Sequence, residues 1–367
     1  MSLTAGIVGL PNVGKSTLFN AITKAGVEAA NYPFATIDPN VGMVEVPDYR
    51  LDELTRLVNP KKTVPTTFEF TDIAGIVRGA SKGEGLGNQF LSHIRQVDAI
   101  CQVVRCFEDE NITHVEGKVN PLADIETINL ELVLADLESV TKRHSRVAKI
   151  AKTKDKEAVA ELAILDKIKP VLEEGMPVRS IEFYEEELPI VKGLFLLTSK
   201  PMLYVANVAE EDVANPDSNE LVQMVREFAA SEGAKVITVC ARAEEEIAEL
   251  EDETDRQEFL EAIGIEESGL DQLIREAYDL LGLATYFTAG EKEVRAWTFK
   301  KGMKAPQCAG VIHSDFEKGF IRAETVSFED LKQYGNMQAA KEAGRVRLEG
   351  KEYIVHDGDI MLFRFNV

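Results

Sequence analysis

Gly9-Leu-Pro-Asn-Val-Gly14-Lys15-Ser16 matches the pattern G-x-x-x-x-G-K-[ST], and its surroundings match as well as its letters. A short apolar run at 3–9 leads into it, and residues 15–24 leave it with helical spacing at Leu18, Ile22 and Ala25. In a strand, loop and helix of this kind the glycines let backbone N–H groups turn inward onto phosphate oxygens, and the helix N-terminus adds the positive end of its dipole. Lys15 is placed to bridge the β- and γ-phosphates and so to act in the transfer itself, and the Ser16 hydroxyl to ligate Mg²⁺. The pattern therefore nominates Pro11, Asn12, Val13, Gly14, Lys15, Ser16 and Thr17 for nucleotide binding.

Working outward, a strand expected at 67–72 ends in Asp72-Ile-Ala-Gly75. A nucleoside-triphosphate hydrolase needs there a carboxylate that holds Mg²⁺ through water and a glycine amide, that of Gly75, which senses the γ-phosphate. Between the two motifs, Asn31-Tyr-Pro-Phe-Ala-Thr36 offers a loop threonine to complete the Mg²⁺ shell, so Ser16, Thr36 and Asp72 form the expected metal set. Further strands are expected at 41–46, 99–105, 201–207 and 235–240, with helices near 87–96, 218–231 and 269–281. Alternation of this kind implies an α/β nucleotide domain, a P-loop fold with a mostly parallel sheet covered by helices on both faces.

The length of 367 residues is too great for one ordinary core and points to two or three domains. With 45% hydrophobic and 28% charged residues the chain is neither disordered nor, lacking any apolar run near 20 residues, a membrane protein. No signal peptide is visible, and the expected location is the cytoplasm. Cys101, Cys106, Cys240 and Cys308 show neither disulfide nor zinc spacing and read as buried thiols.

The net charge of −22 is unevenly spread. Lys142, Arg143, Arg146, Lys149, Lys152, Lys154 and Lys156 stand against Asp155 alone, a local +6 that leaves −28 for the remainder. They fall inside a break in the α/β alternation, at 128–197. Here Leu130, Leu134, Leu137 and Val147, then Val159, Leu162, Leu165, Ile168 and Leu172, take helical spacing about a polar turn at 152–155. The break reads as a helical hairpin with arms of about 20 residues, on the order of 30 Å each, and a basic tip suited to a phosphate backbone. The acidic run 244–258 reads as a solvated face or loop. From 282 onward, short strands are expected at 294–299, 309–313, 320–324, 353–355 and 360–365, with a helix at 328–335, in a small α+β domain. The expected division is thus 1–127 with 198–281, an inserted hairpin at 128–197, and 282–367.

The phosphate loop, loop threonine and D-x-x-G set resembles that of the switch NTPases. The stretches 6–25, 31–36, 72–91 with Lys82-Gly-Glu-Gly-Leu-Gly, Asn207-Val-Ala-Glu210 and Phe316-Glu-Lys-Gly-Phe-Ile-Arg-Ala-Glu narrow the resemblance to the YchF family of Obg-related P-loop ATPases. The resemblance covers essentially the whole chain and implies a nucleotide domain, an inserted helical coiled-coil hairpin and a C-terminal ubiquitin-like TGS domain. A guanine site offers Asn-Lys-x-Asp after its fifth strand; here Asn207-Val208-Ala209-Glu210 displaces the paired acceptor by a methylene and removes the lysine. Loss of a buried hydrogen-bond partner shifts specificity sharply, and family members with N-x-x-E prefer ATP. Ile76 stands where many GTPases carry the glutamine that orients water, and the resemblance implies His114 as the catalytic substitute. It also implies association with ribosomes, for which the basic hairpin is the expected contact and Lys300, Lys301 and Lys304 a second, Trp297 beside them reading as core; and it admits K⁺ beside the phosphates at Asn12. The expected function is a Mg²⁺-dependent ATP-hydrolysing switch. A GTP-preferring enzyme of the Obg kind and a nucleotide-gated scaffold with incidental hydrolysis are the alternatives.

Overall fold

A computed structural model describes residues 3–26, 40–73, 75, 86–109, 112 and 117–366. Thr36, Ile76 and His114 lie outside these residues, as do all of 31–36 and 82–85. Two compact units result. One is Met1–Val44 with Glu69–Leu273, the other Glu45–Phe68 with Ile274–Val367. The strands in chain order are β1 (Thr4–Val8), β2 (Val41–Glu45), β3 (Thr63–Val64), β4 (Thr67–Asp72), β5 (Ala99–Arg105), β6 (Met202–Asn207), β7 (Lys235–Val239), β8 (Leu283–Ala289), β9 (Val294–Lys300), β10 (Phe320–Ser327), β11 (Arg347–Glu349) and β12 (Asp359–Phe365).

The first unit is built on a six-stranded sheet of order β2-β4-β1-β5-β6-β7, in which β4, β1, β5, β6 and β7 run parallel. Every residue of β5 and β6 is buried, as is β1 from Ala5 to Val8. Strands covered on both faces read as continuous apolar runs, and this made them visible in the sequence. Chain order reverses about β1, whose neighbours are β4 and β5, so the carboxyl ends of these strands open a crevice at the switch point.

The insertion is a helical hairpin of unequal arms. The helix Pro121–Ala151 has 31 residues, about 46 Å at 1.5 Å per residue, and Lys156–Glu173 has 18. The long arm starts seven residues before the expected boundary. Asn120 caps it by accepting from the Ala123 N–H, and Pro121 fills the first turn, where a missing N–H costs nothing. At the tip Lys154 takes φ 63°, and Asp155 accepts from Ala158 N–H at 2.8 Å to start the second arm. The seam is Val133, Val140 and Val147 against Ile164, Leu165, Ile168 and Leu172. Leu130, Leu134 and Val159, expected in that seam, are exposed. Apolar residues three and four apart form two adjacent stripes on this helix, and spacing alone does not say which one meets a partner.

The second unit carries the sheet β11-β10-β12-β8-β9-β3, with β8 and β9 antiparallel, β10 and β12 antiparallel, and β12 parallel to β8. Its composition corrects the expected division, because 45–68 packs here. The helix Tyr49–Val58 buries Leu51 and Leu54 against Phe287, Val294 and Ile360, and β3 extends the sheet beside β9. Two expected strands are absent. The run 309–313 belongs to the helix Ala305–Ile312, started by Pro306 in its first turn and burying Cys308 and Ala309 on the sheet. The run 353–355 makes one isolated bridge, Ile354 to Lys304. All four cysteines are free and buried, and burial pushes the Cys101, Cys106 and Cys308 thiols up to about 12. No helix among the described residues is long and apolar enough to cross a membrane.

Candidate functional site

The crevice encloses about 1020 Å³, and its walls come from the loops that leave β1, β4, β5, β6 and β7. It brings together Pro11, Asn12, Gly14, Lys15, Ser16, Thr17, Gly75, Asn207, Val208 and Glu210, residues scattered over more than half of the chain. Val13 is buried behind this wall. Thr36 and His114 fall outside the described residues, so their expected roles are carried by sequence alone.

Asn12 and Gly14 both take positive φ, 64° and 92°, and this turns the loop back on itself ahead of the helix Lys15–Lys24. Glycine is required at 14 twice over. A side chain is strained at that φ, and a Cβ would lie 2.1 Å from Asn207 Nδ2. Asn207 in turn braces the loop. Its Nδ2 donates to the Val13 carbonyl at 2.9 Å and its Oδ1 accepts from the Ala241 N–H at 2.9 Å. The asparagine thus joins the backbone of the 9–16 loop to the start of the helix after β7, and Glu210 is the exposed member of the Asn207–Glu210 set on the crevice wall.

Lys15 is almost fully buried and its ammonium pairs with the Asp72 carboxylate. Burying a lone ammonium is costly; here the partner is the carboxylate that ends β4. The pair sets the Asp72 carboxylate against the ammonium of Lys15, a residue of the crevice wall, and the exposed Ser16 lines the same space. A phosphate can take the lysine while a hard cation takes the oxygens. The Ser16 hydroxyl and the Asp72 carboxylate are oxygen donors of the kind a hard cation such as Mg²⁺ takes, alongside waters and phosphate oxygens.

Further wall residues are Phe107, Glu108, Asp109, Ile112, Cys240, Ala241, Arg242 and Glu245, none of them nominated from the sequence. Their signal was positional: each follows a strand of the parallel sheet, the edge at which such sheets bind ligands. Glu108, Glu210 and Glu245 make this rim rich in acceptors, which suits an exocyclic amine better than a carbonyl.

Comparison with known proteins places the chain in a family. Residues 4–138 match the family model described as a 50S ribosome-binding GTPase, and residues 283–366 match the YchF-GTPase C-terminal model, described as a protein of unknown function (DUF933). Over 367 residues the chain is 73% identical to a Bacillus subtilis (strain 168) protein named ribosome-binding ATPase YchF, with 100% of both chains covered. It is 59% identical to the Escherichia coli O157:H7 protein of the same name, again over 100% of both. The solved structure of the Schizosaccharomyces pombe YchF GTPase superposes with a TM-score of 0.89 at 42% identity, covering 99% of this chain and 98% of that one. Identity of this size along the full length, on a shared fold, makes the chain a member of the YchF family.

Proposed function

We propose that this protein is a Mg²⁺-dependent ATP-hydrolysing switch that acts on the ribosome, with the crevice as its nucleotide site and the basic arm as its RNA contact. The observation that carries the reading is the convergence of Lys15 and Ser16 with Asn207, Val208 and Glu210 in one crevice, with Asp72 paired to the lysine, in a chain whose near relatives are named ribosome-binding ATPases.

In this reading Lys15 leaves Asp72 for the β- and γ-phosphates, and the N–H groups of 13–17 receive the remaining phosphate oxygens at the helix N-terminus. Ser16 and Asp72, with Thr36, would hold Mg²⁺, which would supply positive charge to neutralise the phosphates. Gly75 offers its amide toward the γ-phosphate. His114 orients the attacking water in place of the side chain that Ile76 cannot supply, and Asn12 is the expected neighbour of K⁺. Glu210 accepts from adenine's amine while buried Val208 gives an apolar surface in place of a lysine.

For RNA, the arm is the stronger candidate of the two surfaces. Lys142 and Arg143 are engaged by Glu138 and Glu161, but Arg146, Lys149, Lys152, Lys154 and Lys156 have no ion pair among the described residues. In the C-terminal region Lys301 pairs with Asp279, Lys304 pairs with Glu352, and the Trp297 indole donates to Thr288. The deciding experiment is competition of ATP with GTP for the purified protein, with turnover measured with and without ribosomes. Preference for ATP and faster turnover on ribosomes is expected. GTP preference would overturn the base assignment and agree with the name of the S. pombe relative; turnover indifferent to ribosomes would favour the scaffold.

A further inference from the structure

We propose that Arg105 is a positioning residue for this site: it fixes the base-side wall of the crevice and thereby sets nucleotide affinity and base discrimination without touching the nucleotide. It rests on the reading of the crevice as the nucleotide site. Arg105 ends β5 with 1% of its surface exposed, and its cross-strand partner in the sheet is Asn207, the brace of the phosphate loop.

Its guanidinium is spent on backbone. Nε donates to the Phe107 carbonyl at 3.1 Å, Nη1 to the Ile112 carbonyl at 3.0 Å and Nη2 to the Asp109 carbonyl at 3.4 Å, while Cζ sits 4.6 Å from the centroid of the Phe107 ring. Phe107, Asp109 and Ile112 are wall residues of the crevice. Loop carbonyls ordinarily take their hydrogen bonds from water or from neighbouring backbone. Here three of them, spread over six residues, converge on one planar cation, so the curvature of the wall is set by the shape of the guanidinium. The stem of the loop is pinned independently. Cys106 N–H donates to the Asn207 carbonyl at 2.8 Å and Asn219 Nδ2 donates to the Cys106 carbonyl at 3.0 Å. Removing Arg105 therefore frees the wall beyond the stem and leaves the sheet in place.

A lysine cannot substitute. Its ammonium is a point with three rotatable donors, whereas the three carbonyls are matched by a rigid fork that also lies on an aromatic face. The buried cation is a poor device for stability alone, since burial of charge costs and the hydrogen bonds only offset it. What the arrangement achieves is a fixed surface against which a base is read.

The test measures Kd for ATP and for GTP, together with single-turnover kcat, in Arg105→Ala, Arg105→Met and Arg105→Lys, with thermal melting of each and Lys15→Ala as the control. Arg105→Ala and Arg105→Met should weaken ATP by roughly tenfold or more, the scale of a displaced positioning wall, and narrow the ATP-to-GTP ratio. Arg105→Lys should fail to restore either. Guanidinium ion added to Arg105→Ala, well below unfolding concentrations, should recover ATP affinity, and methylammonium should not. Should the alanine variant melt below assay temperature, Arg105→Lys, which retains stem and charge, carries the test. Wild-type ATP and GTP affinities in Arg105→Lys or Arg105→Met, with binding abolished in Lys15→Ala, would overturn the role of Arg105 and leave the crevice reading standing. Undiminished binding in Lys15→Ala would overturn the crevice reading itself.

Discussion

A carboxyl group with 2% of its surface exposed must be matched by donors or held neutral, and Glu244 shows some of each. Desolvation is the largest influence and pushes it up to about 7, against the backbone N–H groups of Gly269 and Leu270 and the Ser268 hydroxyl, which favour the charged form; Asp271 nearby raises it further. The Gly269 bond is 2.7 Å long. Because the native state holds this proton up to about pH 7 and the unfolded chain releases it near 4.5, stability from the group is present below about 4.5 and lost as pH rises through 7. The full loss is on the order of 3 kcal/mol. Glu244→Gln keeps an oxygen for Gly269 and removes the titration. The stability of the wild type relative to this variant should therefore fall between pH 5 and 8 in urea titrations, and a pH-independent difference would refute the assignment. The sequence could not show this residue's surroundings. It stands in an acidic run whose other members are mostly solvated, and the N–H groups that desolvate and bind it come from a helix 25 residues away. Arg105 was hidden for a similar reason, since its partners are carbonyl groups, which every residue carries.

At the scale of elements, what was legible follows from how each is buried. β1, β5 and β6, covered on both faces, are apolar runs stopped by turn residues, and motifs sit at the ends of β1 and β6, so strand and loop were read together. Short apolar runs without a clear period were not. The run at 309–313 fits strand or helix, and only Pro306, a first-turn residue, distinguishes them. β8 went unread although Tyr286 and Phe287 are fully buried, and β11 is three residues long. The hairpin was legible in its turn and its charge, and misjudged in its seam and its length. Its correction sharpens the choice of variants. Lys142 and Arg143 already hold Glu138 and Glu161, so their loss would disturb the arm as well as its charge. Lys149, Lys152 and Lys154 have no ion pair among the described residues. Changing these three to Gln should weaken ribosome binding and reduce the log–log salt slope by about 2 to 3 if each neutralises a phosphate. ATP turnover without ribosomes should stay at the wild-type rate. A variant whose affinity and salt slope equal those of wild type would return the arm to a solvated face.

For the whole molecule, the boundary drawn by family resemblance and the boundary drawn by packing differ, and the difference can be measured. The C-terminal family model spans 283–366, yet the compact unit also needs Glu45–Phe68 and the helix end from Ile274. Leu51 and Leu54 are buried against Phe287, Val294, Ala296 and Ile360, and at roughly 1.5–3 kcal/mol for each buried leucine their loss removes about 3–6 kcal/mol. Arg50 adds a second tie. It pairs with Asp48 and with Asp357, stands over the Phe287 ring, and lies where a Cβ on Gly358 would meet it at 2.9 Å. Asp357 also accepts from the Thr285 N–H at 2.9 Å, so removal of Arg50 leaves the start of β8 with a weakened neighbour. Since a small domain holds only about 5–15 kcal/mol in total, a fragment of 274–367 alone should be marginal. It should bind a hydrophobic dye at the uncovered Phe287 face and melt without a cooperative transition. Joining 45–68 to it through a flexible Gly/Ser linker should restore a sharp transition, and Arg50→Met in the joined form should lower its midpoint. Cooperative melting of 274–367 within a few degrees of the joined form would show that the strap merely lies on a domain that is complete without it. The expected result follows from the path of the chain: 45–68 leaves β2 at one end and enters β4 at the other, so the segment that completes the C-terminal unit is a detour between two strands of the first sheet.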